Sequence, residues 1–187
     1  YEMKYLFAIL VFAGLVLTGC GPDSSLTEPT TTQKTYKWIA TPAKVGLSIE
    51  NVFSASKLID GTKGGKIKMN ESYNSSSGEI KIKAKLVINK ASFTGSKVIS
   101  YVLDDQTGLV EFGPAMVFDR DLKFDLKIKG FDLSDVTSPD EVVFGFLDEN
   151  NNIVPCVYDE LKIKVNENSI EVKNARIGHF SRYGFAK

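Results

Sequence analysis

Leu122, Phe124, Leu126 and Ile128 are separated by Lys123, Asp125 and Lys127. Apolar and polar positions that alternate in this way predict a β-strand with one buried face. In front of it Gly113-Pro114 is a turn signal, since proline fixes φ and glycine tolerates conformations that other residues avoid, and Met116, Val117 and Phe118 form a short apolar run. The alternation is cleanest in Glu79 to Ile88, where Ile80, Ile82, Ala84, Leu86 and Ile88 share a face and lysines occupy the other. Before it, Ile67, Met69, Glu71 and Tyr73 alternate, with turn signals at Asp60-Gly61, Gly64-Gly65 and Ser75 to Gly78. Further strand-like runs are Val52 to Ile59, Lys97 to Leu103, Leu109 to Phe112, Val142 to Leu147, Ile153 to Tyr158, Leu161 to Val165, Ile170 to Val172 and Phe180 to Phe185. No window sustains a helical apolar period. Many short strands at intervals of about ten residues predict an all-β fold, an antiparallel β-sandwich.

The N-terminal part follows another pattern. Tyr1 and Glu2 read as an upstream extension, and Met3-Lys4 is followed by an almost wholly apolar run from Tyr5 to Leu17. That run falls short of the ~20 residues needed to span a bilayer, and a short basic start before an apolar run is an export signal. It ends in Leu17-Thr18-Gly19-Cys20, which resembles the bacterial lipobox, whose cysteine receives lipid on its thiol while the signal is cut just before it. The resemblance implies a cleaved signal over 1–19, lipidation of Cys20, and a partner in the membrane itself. Each buried methylene contributes about 0.8 kcal/mol and a single acyl chain holds only reversibly, so the two or three chains of a bacterial lipoprotein hold for good. By the same resemblance, Gly21 after the cysteine favours the outer membrane of a bacterial cell envelope. The alternative is an ordinary secretory signal with an incidental cysteine. Residues 20–35, rich in Ser, Thr and Pro with Leu26 as the one large apolar side chain, predict a disordered linker. The sandwich domain is expected over 36–187.

Roughly 150 residues then remain, enough for one domain with a sizeable core. Across all 187 residues, 23 basic side chains balance 23 acidic ones. A neutral, interspersed surface argues against a nucleic-acid partner, which needs clustered positive charge, and against electrostatic attraction to anionic lipid. The alternating lysines (Lys81, Lys83, Lys85; Lys123, Lys127, Lys129; Lys162, Lys164) read as the solvated face of a half-buried sheet rather than as a binding surface. Two cysteines and one histidine cannot assemble a Cys/His zinc site, and no motif calls for a metal or another cofactor. Cys156 is expected to pack as a small apolar residue, Trp38 to sit in the core, and Asp148 to Asn152 to form a hairpin turn rather than a calcium loop. Asp119 and Asp121 are expected to cap a turn.

Gly64-Gly65-Lys66-Ile67, then Leu86 to Phe93, then Phe112-Gly113-Pro114 through Phe118 to Leu122 resemble in order the motifs of ZU-type domains. These are the β-sandwiches of tight-junction ZO proteins, ankyrins and UNC-type netrin receptors, with related versions in bacterial secreted proteins. Here Ile88 to Ala91 stands where the family has its proline-containing turn, and Asp121 stands at its second proline. Gly178-His179-Phe180-Ser181-Arg182-Tyr183 resembles the family's closing strand, whose His-Phe-Ser triplet is a self-cleavage site in some eukaryotic relatives. The resemblance implies Ser181 as nucleophile on the Phe180 carbonyl and His179 as its base, with Gly178 permitting a distorted backbone. In an extended segment His179 and Ser181 project to one face. The expected function is a lipid-anchored envelope module that binds a protein or envelope polymer or serves structurally, with self-cleavage between Phe180 and Ser181 as the alternative.

Overall fold

The computed structural model describes residues 34–42, 45 and 52–187. The expected signal segment, Cys20 and nearly all of the expected linker lie outside the described residues. From Thr35 onward the chain forms one compact unit. Eleven strands occur among the described residues: β1 (Val52–Asp60), β2 (Gly65–Ser75), β3 (Gly78–Ile88), β4 (Ser96–Asp104), β5 (Val110–Gly113), β6 (Val117–Lys129), β7 (Val143–Leu147), β8 (Ile153–Pro155), β9 (Glu160–Lys164), β10 (Ser169–His179) and β11 (Arg182–Ala186). They build a six-stranded sheet, ordered β1-β4-β5-β11-β7-β8, and a five-stranded sheet, ordered β2-β3-β6-β10-β9. Every pairing between these strands is antiparallel. The expected antiparallel sandwich is the architecture.

The alternation places the core. Ile80, Ile82 and Leu86 from β3, with Leu122, Phe124, Leu126 and Ile128 from β6, are fully buried, and so are Ile99, Tyr101 and Leu103 from β4 and Phe144 from β7 on the other sheet. An aromatic chain joins the two layers: Phe124 meets Phe112 edge-on at 5.0 Å and Tyr101 at 5.6 Å between ring centroids. Edge-to-face contacts of this kind add to the area they bury. Burial pushes the Tyr101 phenol well above its ordinary value, so it stays protonated across the physiological range.

Several elements differ from the sequence reading. Ile170 to Val172 predicts only a short strand, whereas β10 runs on to His179. The reason is a bulge: the register with β6 shifts between Val172 and Ala175, where Asn174 takes a left-handed φ of 51°. Buried positions therefore change parity, from Ile170 and Val172 to Ala175 and Ile177, and a strict two-residue pattern cannot follow them. Asp119 and Asp121, expected to cap a turn, lie within β6. Trp38 is not among the core residues. Its segment pairs with the end of β11, and the indole covers Gly184, where an added Cβ would sit 3.3 Å from the ring. Asp148 to Asn152 forms the β7–β8 turn as expected, with Asp148 Oδ1 accepting from the amides of Asn150 and Asn152.

The lysines gather on one face, with Glu79, Asp125, Glu160 and Glu171 set among them as ion-pair partners. Lys66 and Lys68 of β2, Lys81, Lys83 and Lys85 of β3, Lys123, Lys127 and Lys129 of β6, and Lys162 and Lys164 of β9 all take the outward positions of the five-stranded sheet. The outer face of the other sheet carries Ser54, Ser56, Leu58, Val98 and Ser100 on β1 and β4. Leu58 and Val98 face each other there and are 65% and 57% exposed. Many carboxylates sit in the connections: Asp105 after β4, Asp132 to Glu141 between β6 and β7, Asp148 and Glu149 after β7. A balanced total thus hides a one-sided distribution of lysines.

Candidate functional site

The triplet singled out by sequence sits where the chain changes sheets. β10 ends at His179 in the five-stranded sheet and β11 begins at Arg182 in the six-stranded one. A continuous strand from Phe180 to Phe185 is therefore not formed. The backbone explains the break: the Phe180 amide donates to Met116 O at 3.0 Å, beside β6, while Ser181 O accepts from the Phe112 amide of β5 at 3.3 Å. Adjacent residues thus serve different sheets.

Side chains fix this corner. Phe180 is buried between Phe112, stacked at 5.3 Å, and Phe118, edge-on at 4.6 Å. The Tyr183 hydroxyl donates to His179 O at 2.9 Å, a tyrosine reaching back to upstream backbone as at the corners of other sandwiches. Burial raises the Tyr183 phenol well above its ordinary value, with the charge of Asp121 a smaller cause, which keeps that donor protonated. Gly178 has no left-handed φ. An added Cβ there would lie 3.1 Å from Asp121 Oδ1, a close approach to the end of a side chain.

His179 and Ser181 each engage another partner. The Ser181 hydroxyl donates to Leu147 O at 3.0 Å, and the His179 ring packs edge-on against Phe146 at 4.9 Å. Among the described residues no hydrogen bond joins the imidazole to Ser181. The paired rings of His179 and Phe146 form a ridge between two open clefts. One, of about 560 Å³, is lined by Asp121, Phe146, Cys156, Arg176, His179 and Tyr183 among others. The second, of about 610 Å³, has Met116, Val117, Asp148, Glu149 and Ser181 in its wall.

The first cleft places charged Asp121 and Arg176 beside Phe146, Cys156 and Val157. Arg176 pairs with Asp159 at 3.1 Å, which leaves its guanidinium partly committed. Cys156 is half-buried, and burial pushes its thiol up to about 12, which disfavours the reactive thiolate at neutral pH. Its packing agrees with the apolar role expected of it. The second cleft combines exposed Val117 with the carboxylates of the β7–β8 turn. Both are open clefts rather than enclosed cavities.

No protein-family model, curated protein or solved structure matches the chain. Among the described residues, no helix is long and apolar enough to cross a membrane.

Sequence reasoning located the corner but missed Phe146 and Asp121 as its walls. Phe146 arrives from β7, far away in the chain, and only the pairing of Phe146 with Tyr183 brings it alongside His179. No local pattern carries that information.

Proposed function

We propose that the chain is a lipid-anchored β-sandwich of the bacterial cell envelope, similar to ZU-type domains, that acts as a binding or structural interaction module. Anchoring rests on the sequence: Met3-Lys4, the apolar run to Leu17, and Leu17-Thr18-Gly19-Cys20. The binding or structural role rests on one observation at the corner. Ser181 donates its hydroxyl hydrogen to Leu147 O at 3.0 Å, the use expected of a side chain that holds β7 to the β10–β11 turn. General-base activation needs the base within about 2.6 to 3.2 Å of the hydroxyl, directly or through a water. The geometry lends self-cleavage between Phe180 and Ser181 no such support.

Replacing the acylated residue gives the test. Cys20→Ser is expected to move the protein from the membrane fraction to the soluble envelope fraction while leaving its denaturant unfolding unchanged. Wild-type protein found wholly in the soluble fraction would remove the anchored reading.

A further inference from the structure

We propose that the lysine face of the five-stranded sheet is a docking surface for anionic phospholipid headgroups, centred on Lys81, Lys83, Lys127 and Lys129. The register of β3 on β6 places Lys81 directly opposite Lys129 and Lys83 directly opposite Lys127. Like charges facing each other across a sheet are destabilising. At the next outward position the same two strands set Lys85 against Asp125, with an ion pair at 2.5 Å. Across the β3–β6 pairing an acid thus faces lysine beside the quartet, whereas within it lysine faces lysine.

The four lysines alone line a depression of about 220 Å³, open to solvent and large enough for a phosphate group. Lys81 has Glu79 at 2.9 Å and Lys127 has Glu171 at 2.8 Å. Lys83 and Lys129 make no ion pair among the described residues, and of the two only Lys129 feels a nearby acid, Glu167, so positive charge at the centre of the face is compensated in part. The outward positions of all five strands carry no aromatic side chain. A single-stranded nucleic acid therefore finds no stacking platform. A broad, flat, basic face suits a planar array of headgroup phosphates, where each lysine near the surface contributes an attraction that salt screens.

The anchored reading supplies the nearby bilayer, and in that respect this proposal rests on it. The segment from Cys20 to Tyr36 reaches at most about 55 Å when fully extended, so a tethered domain stays close enough for the face to engage.

The protein as extracted from bacterial membranes, incorporated into vesicles of phosphatidylcholine alone or of equal parts phosphatidylcholine and phosphatidylglycerol, provides the test through lysine acetylation read residue by residue in a mass spectrometer. Lys83 and Lys129 are expected to react at least about fivefold more slowly on the phosphatidylglycerol vesicles, with Lys57 and Lys97 of the other sheet unchanged and the protection lost at high salt. K83E is expected to weaken the protection of Lys129 by about fivefold or more and at the same time to raise the denaturant midpoint, since it turns a like-charge pair into an opposite one. K83Q, which creates no new pair, is expected to weaken protection to a lesser degree. Opposite movement of stability and protection in K83E is what a purely structural lysine would not produce.

Equal acetylation of Lys83 and Lys129 on both vesicle types would overturn the proposal, as would protection by an RNA oligonucleotide but not by phosphatidylglycerol. Retention of the chain on phosphatidylcholine vesicles at high salt reads the anchor by itself. A chain that washes off them defeats the anchored reading, while acetylation on the phosphatidylglycerol vesicles still decides the lysine face.

Discussion

Alanine at Phe124 is expected to lower the unfolding free energy by about 3 to 5 kcal/mol. The side chain is fully buried at the centre of the sandwich, and its ring touches Phe112 and Tyr101 at 5.0 and 5.6 Å and Phe144 at 6.3 Å. Removing it loses the transfer energy of the ring and leaves a cavity that aromatic neighbours on another sheet cannot collapse into without moving their strands. Against a total stability of about 5 to 15 kcal/mol for a domain, this brings the protein near its unfolding threshold at room temperature. Lys123, one position earlier and on the solvent side of β6, gives the control, and its replacement by alanine is expected to stay within about 0.5 kcal/mol. Urea titrations of the two variants check the pair. Equal shifts in midpoint would mean that the faces of β6 are wrongly assigned.

The second large effect is steric and conformational together. Gly64, in the turn where the chain leaves the six-stranded sheet for the five-stranded one, has φ of 73°, and a Cβ there would lie 2.4 Å from Ile88 O. That contact is with backbone of β3 and cannot be relieved by a rotamer. Gly64→Ala is expected to cost about 2 to 5 kcal/mol, combining the left-handed penalty with overpacking. Gly95 has nearly the same φ, 75°, with nothing within 4 Å of an added Cβ. Gly95→Ala is therefore expected to cost only the conformational part, about 1 to 2 kcal/mol. Thermal or denaturant unfolding separates the two, and equal losses would remove the close approach of Gly64 to Ile88 as a determinant of the turn.

The contrast between these glycines shows where sequence reading stops. Gly64-Gly65 is visible as a turn signal, but that Gly64 abuts Ile88 follows from the β2–β3 pairing, which sets Gly65 opposite Ile88. Strand positions were legible because alternation is local: Glu79 to Ile88 and Leu122 to Ile128 are strands whose apolar positions are buried. At the Asn174 bulge in β10 that signal stopped, since one inserted residue moves every later side chain to the other parity. The balance of charges was legible as a total and not as a distribution. Whether Lys83 faces an acid or another lysine depends on which strands are neighbours and in what register, and β3 and β6 are far apart in the chain.

The candidate site was legible in part for the same reason. Gly178 to Tyr183 stood out as an unusual run, and the structure uses it at the crossing between sheets. The partners that give its residues their roles come from elsewhere: Leu147 for the Ser181 hydroxyl, Phe146 for the His179 ring, Met116 and Phe112 for the backbone. Proximity of His179 and Ser181 in the sequence carried no information about them. An extended segment would have set both on one face, but the corner turns each toward a different neighbour.

An intact module held at the membrane through Cys20 is tested most directly by the mass, under denaturing conditions, of the protein extracted from bacterial membranes after prolonged incubation near neutral pH. The expected result is a species that starts at Cys20, exceeds its unmodified mass by the attached lipid, and is continuous across Phe180 and Ser181. A chain with unmodified Cys20, or a separate fragment beginning at Ser181, would contradict it.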